Sequence, residues 1–114
     1  MLPRAAVRHA GPVAIVDLEG RVTMGEGCAV VRNAVRQLVN GGNRNILLNL
    51  QAVSYVDSSG LGEMAASYVT IVKLGRQLKL VHAQSRIDTM LQVAKLYALL
   101  VVFSDEAEAL RSFE

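Results

Sequence analysis

The chain has one cysteine, Cys28, so it can build neither an internal disulfide nor a zinc site based on cysteines. Aromatic side chains are equally scarce. Tyr55, Tyr68, Tyr97, Phe103 and Phe113 are the whole set, which leaves the core to Leu, Val, Ile, Ala and Met. The longest apolar run lies near Leu96–Phe103, far short of the roughly 18 residues that cross a bilayer, and Met1–Arg8 has no apolar segment of the kind a secretory signal needs. Charge is neither large nor clustered. The formal balance is +2, and Arg4, Arg8, Arg21, Arg32, Arg36, Arg44, Lys73, Arg76, Lys79, Arg86, Lys95 and Arg111 are spread along the chain. A nucleic-acid binder gathers such residues on one element with aromatics between them. These absences lead to the expectation of a soluble cytoplasmic protein, with no nucleic-acid partner and no direct membrane insertion.

What is present is apolar side chain in quantity, 52% of 114 residues, enough for one core and one domain spanning 1–114. Val13–Leu18 (VAIVDL) is rich in β-branched residues and follows the turn signal Gly11-Pro12, so it reads as a strand. Ala5–His9 reads as its partner across a tight turn, with Met1–Arg8 either an edge strand or poorly ordered. Beyond Gly25 and Gly27 the period changes: Val31, Ala34, Val35 and Leu38 recur at helical spacing, and Asn40-Gly41-Gly42 supplies a stop. Ile46–Leu50 is nearly continuous apolar sequence, the form of a strand buried on both faces.

Leu61, Met64, Ala65, Tyr68 and Val72 predict a second helix with one apolar stripe, closed at Gly75. Leu78–Val81 reads as the next strand. Ile87, Met90, Leu91 and Ala94 mark a third helix beginning near Ser85. Leu99–Phe103 is expected as a last strand, followed by a helix over Ser104–Phe113 with Ser104 as N-cap and acidic residues in its first turns. This alternation argues for an α/β fold, a parallel or mixed sheet with helices packed on it.

The segment from Asn49 to Gly62 runs from a buried strand into the start of the second helix. Its centre, Asp57-Ser58-Ser59-Gly60, puts a carboxylate and two hydroxyls where a helix presents backbone N–H groups without internal partners, an end that attracts anions. Capping alone accounts for Asp57 or Ser58. Two glycines in a first turn are less easily explained, since each costs about 1 kcal/mol against Ala within a helix. Gly60 and Gly62 remove side chains beside the serines, and a bare surface there would let another protein approach Ser59 closely.

The run Ile46–Leu50 followed by Val56-Asp57-Ser58-Ser59-Gly60-Leu61-Gly62 resembles the signature of the STAS domain, found in anti-sigma-factor antagonists and in the tails of sulfate transporters. The resemblance extends from about Val13 to about Leu110, with Leu18-Glu19-Gly20, the Gly75 turn and the final Leu-rich strand and helix as further landmarks. It implies a mixed, mostly parallel sheet of about four to five strands with helices packed on it. It also implies that Ser59, the second serine of the motif, is phosphorylated by an anti-sigma factor that is itself a serine kinase, and that a phosphatase resets it. Asp57, Ser58, Gly60, Leu61 and Gly62 would then shape the partner-binding site, bordered by Thr23, Met24 and Gly25 of the preceding loop. In one respect the chain departs from the pattern. Many antagonists carry an Asp a few residues after the glycine corresponding to Gly20, where this chain reads Arg21-Val22-Thr23-Met24.

The resemblance leaves two other roles open, a scaffold subunit of a stress-signalling complex and an accessory subunit of a lipid-transport ATPase. It leaves homodimerisation open as well. Nothing in the residues points to an enzyme, a cofactor or a metal. His9 and His82 lack acidic or cysteine partners at ligand spacing, and Cys28 reads as a packed small side chain. Val56 stands where a nucleophile elbow built on Ser58 would need glycine, and the glycines form neither a Walker loop nor a dinucleotide fingerprint. Met64, on the apolar stripe, is assigned to the core, and Met24 is a candidate exposed anchor.

Overall fold

The computed structural model describes residues 2–43 and 45–114; Met1 and Arg44, named above in the N-terminal segment and among the scattered cations, lie outside the described residues. In chain order the elements are β1 (Arg4–Ala10), β2 (Val13–Val22), α1 (Glu26–Asn40), β3 (Asn45–Val56), α2 (Ser58–Lys73), β4 (Gln77–Val81), α3 (Ser85–Val93), β5 (Val102–Phe103) and α4 (Glu106–Arg111). The sheet runs in the order β1-β2-β3-β4-β5. β1 is antiparallel to β2, and every later neighbour is parallel. The mixed, mostly parallel α/β architecture expected from the alternation is therefore what forms, and the N-terminal segment is an edge strand over Arg4–Ala10.

The period of two along β2 and β3 sends side chains to two cores. On one face Ala14, Val16, Leu18, Ile46, Leu48 and Leu50 meet Val31 and Val35 of α1, Met64 and Ile71 of α2, and Ile87 and Leu91 of α3. On the other, Val13, Ile15, Leu47 and Val81 meet Ala109 of α4 and the following Phe113. Burial on both faces is why Ile46–Leu50 is apolar at every position but Asn49, whose amide donates to Asp17.

Five expectations are corrected. β3 does not end at Leu50 but continues to Val56, with Val53 and Val56 buried while Gln51, Ala52 and Ser54 face solvent. β5 keeps only Val102–Phe103 of Leu99–Phe103, because the Leu99 and Leu100 amides both donate to the Leu96 carbonyl in a turn. Asp105, not Ser104, caps α4, its carboxylate accepting from the Glu108 amide at 2.9 Å. The inner face of α2 is Gly60, Leu61, Met64, Ser67 and Ile71, while Val72 is 45% exposed and Tyr68 only half-buried. α2 is apolar nearly all round, so spacing allowed two stripes, and packing against both the sheet and α1 selected one. Ala94, expected within the third helix, is the exposed C-cap of α3.

Candidate functional site

β2 and β3 outrun the rest of the sheet. β4 pairs with β3 only as far as Asn49, whereas β2 accompanies β3 to the Val22–Val56 pair, with register shifts between Asp17 and Glu19 and between Gly20 and Arg21. This two-stranded extension carries the start of α2 beyond the end of β4, while Val22, Val53 and Val56 of the extension and Leu61 of α2 remain in the core. The Asp57 amide donates to the Val22 carbonyl at 3.3 Å, and Asp57 itself is extended (φ −97°, ψ −177°), as an N-cap residue should be.

The Asp57 carboxylate uses its two oxygens on two different segments. Oδ1 accepts from the Gly60 amide at 2.8 Å, closing the first turn of α2, and Oδ2 accepts from the Met24 amide at 3.0 Å, in the loop between β2 and α1. These backbone donors, Met24 first and Gly60 second, hold the carboxyl below its usual range. Asp57 is thus an anion throughout the neutral range. Ser58 is exposed and Ser59 half-buried, and they occupy the first two positions of α2.

The structure brings Thr23, Met24 and Gly25 to the motif through this contact. Met24 is 77% exposed and Gly25 is exposed with φ +92°, while the half-buried Thr23 has its carbonyl engaged by the Cys28 amide at 3.0 Å. The two glycines of the motif differ. Gly62 is exposed, with open space where a Cβ would stand, as the reading of a bare surface required. Gly60 is buried: a Cβ there would overlap the Val22 carbonyl oxygen and stand 2.9 Å from Val56 Cγ1. Its missing side chain serves the close approach of α2 to β2, which corrects the expectation that it bares a surface for a partner. Gly27 does the same for α1, where a Cβ would overlap the Arg21 carbonyl oxygen. Leu61 is likewise 6% exposed, presenting only an edge.

Several neighbours of the site, Leu61 apart, were not singled out from sequence as part of it. Leu61, Thr89, Met90, Val93 and Ala94 line a wholly apolar hollow of about 270 Å³ between α2 and α3. The Arg21 guanidinium lies 4.6 Å from the centre of the Tyr55 ring, and Arg32 of α1 pairs with Glu63 of α2 at 3.1 Å. The helical spacing of Met90 and Val93 was the only available sign of the hollow, and it reads equally as core.

Other chemistry finds little footing. Cys28 is buried, and burial first, then the charges of Glu63 and Asp57, push its thiol up. His9 Nε2 lies 3.3 Å from Asn43 Oδ1, far along the sheet from the motif. Among the described residues no group of three or more His, Cys, Asp or Glu side chains is arranged to hold a metal ion, and no helix is long and apolar enough to cross a membrane.

Comparison with known structures places this arrangement. A protein from Thermotoga maritima superposes with a TM-score of 0.88 at 20% identity, over 96% of this chain and 93% of that one. An anti-sigma factor antagonist from Mycobacterium paratuberculosis gives 0.87 at 19% identity, over 97% and 93%. The Bacillus cell fate determinant SpoIIAA, in its phosphorylated form, gives 0.73 at 16% identity, over 96% and 99%. At these identities the likeness is one of fold. The STAS domain pattern itself matches residues 4–109, nearly the whole chain, and the chain belongs to the STAS domain family.

Proposed function

We propose that this protein is an anti-sigma factor antagonist. In this reading its unphosphorylated form binds an anti-sigma factor with serine kinase activity, phosphorylation of Ser59 ends that binding, and a phosphatase restores it. The protein acts in the cytoplasm as a regulator of transcription by partner switching and catalyses nothing itself. The observation that carries the reading is the placement of Ser58 and Ser59 on the first turn of α2, beside the exposed Met24, in a domain whose solved neighbours include anti-sigma factor antagonists.

The physical case is one of magnitudes. A phosphoserine carries about −1.5 to −2 charges at neutral pH. At the N-terminus of α2 that charge is favourable by roughly 0.3–1 kcal/mol when exposed, so the fold persists. A docked partner has to desolvate the phosphate, at an effective cost of several kcal/mol unless it offers matching cations. At about 1.4 kcal/mol per tenfold, that amounts to a hundred- to thousandfold loss of affinity. The modification thus switches binding rather than folding.

The test is a pull-down from native lysate with wild type, Ser59→Ala and Ser59→Asp as baits, followed by ATP labelling of the captured complex. Wild type and Ser59→Ala should retain a kinase-type anti-sigma factor that Ser59→Asp loses, with label mapping to Ser59. Retention of one partner by all three baits, or capture of a transporter ATPase, overturns the reading.

A further inference from the structure

We infer that Asp57 is a positioning residue that couples Ser59 to the loop carrying Met24, so that a phosphate on Ser59 releases this loop as well as adding charge. The inference rests on the reading of Ser59 as the phosphorylation site, and extends it from a local charge to a second segment of the binding surface.

The geometry is that of a clasp. One carboxylate oxygen is spent on α2, through the Gly60 amide, and the other on the β2–α1 loop, through the Met24 amide. α1 has no side-chain cap of its own at Gly25, so the Asp57 carboxylate is the only side-chain acceptor on that loop's backbone among the described residues. The glycine contacts hold both helix starts against Val22, which keeps the two segments within reach of one carboxylate.

A phosphate on Ser59 would enter this arrangement two residues from Asp57. It brings three strong acceptor oxygens to the same few amides at the start of α2, and it repels the carboxylate. Of its two bonds, the one to Met24 is the more exposed to loss. Gly60 is fixed by the helix, whereas the loop around Met24 lies on the surface.

The chemistry of Asn provides a clean variant. Asn caps a helix as well as Asp does, but its side chain has one acceptor oxygen instead of two. Asp57→Asn should therefore keep the α2 cap and cut the link to the loop.

The experiment is amide hydrogen exchange by NMR on the full chain, comparing the unmodified protein, protein carrying phosphoserine at position 59, and Asp57→Asn. Phosphorylation should raise exchange at the Met24 amide by about tenfold or more, and Asp57→Asn should match it with no phosphate present. Adding phosphate to Asp57→Asn should change the Met24 amide little. The Leu80 amide, which donates to Val101 in the sheet, should not move in any of them. Unchanged exchange at Met24 on phosphorylation overturns the coupling, even where Ser59→Asp still loses its partner. A released loop in a protein that captures no anti-sigma kinase keeps the coupling and overturns the functional reading.

Discussion

Gly60 of α2 lies so close to Val22 of β2 that no larger residue fits between them: a Cβ at position 60 would overlap the Val22 carbonyl oxygen and lie 3.1 Å from its carbon. The obstacle is backbone, which cannot swing aside as a side chain would. Gly60→Ala should therefore cost at least about 2 kcal/mol of stability, and Gly27→Ala, facing the same strand end, a similar amount. Gly62→Ala, with nothing in its way, should be neutral or stabilising by up to about 1 kcal/mol. Urea unfolding of the three variants checks this; equal gains at positions 60 and 62 would show that helix propensity, not contact with Val22, governs both.

If the proposed switch acts on binding, the modification should leave the fold almost untouched. Ser59→Asp should shift the melting temperature by less than about 3 °C, while its affinity for the anti-sigma partner falls about a hundredfold or more. Calorimetry of the isolated protein and titration with the partner separate the two effects. A large drop in melting temperature would indicate that the charge disrupts α2.

The acid limb of stability should depend on Arg8. Its guanidinium bridges Asp17 of β2 at 2.7 Å and Glu106 of α4 at 2.6 Å, and Asn49 adds a hydrogen bond to Asp17 at 2.8 Å. Hydrogen bonds from Arg8 hold both carboxyls below their usual values. A carboxyl lowered on folding contributes its full stabilisation above the unfolded pKa, about 4, and loses it as pH falls through the lower folded value. Because Arg8 is 46% exposed, solvent screening limits the effect. Arg8→Met should cost about 1 kcal/mol at pH 7 and much less at pH 2.5. Thermal melts at both values test this, and a cost independent of pH would assign the loss to packing of the Arg8 side chain.

Cys28 should resist thiol reagents in the folded protein. It is buried beside α2, and both desolvation and the nearby carboxylates keep its proton on. Its labelling at pH 8 should be at least about tenfold slower in buffer than in denaturant. Equal rates would show that the start of α1 opens readily.

Local signals carried much of this protein. The β-branched run Val13–Leu18, the doubly buried Ile46–Leu50 and the helical spacing of Val31, Val35 and Leu38 each dictate an element by period alone, and their alternation dictates α/β architecture. The Asp57-Ser58-Ser59-Gly60 motif marks a helix start because capping is a matter of adjacent residues. Tertiary structure decided what depends on distant neighbours. α2, apolar on most sides, had its buried face chosen by the sheet and α1, which is why Ser67 and Ile71 lie inside while Val72 does not. β3 runs on to Val56 because β2 is there to pair with it, and Leu99 and Leu100 stay out of β5 because a turn claims their amides. Likewise, the place of Gly60 against Val22 and the grip of Asp57 on Met24 join residues more than thirty positions apart. No period or spacing along a chain encodes such a contact; it exists only once the strands have set the two segments side by side.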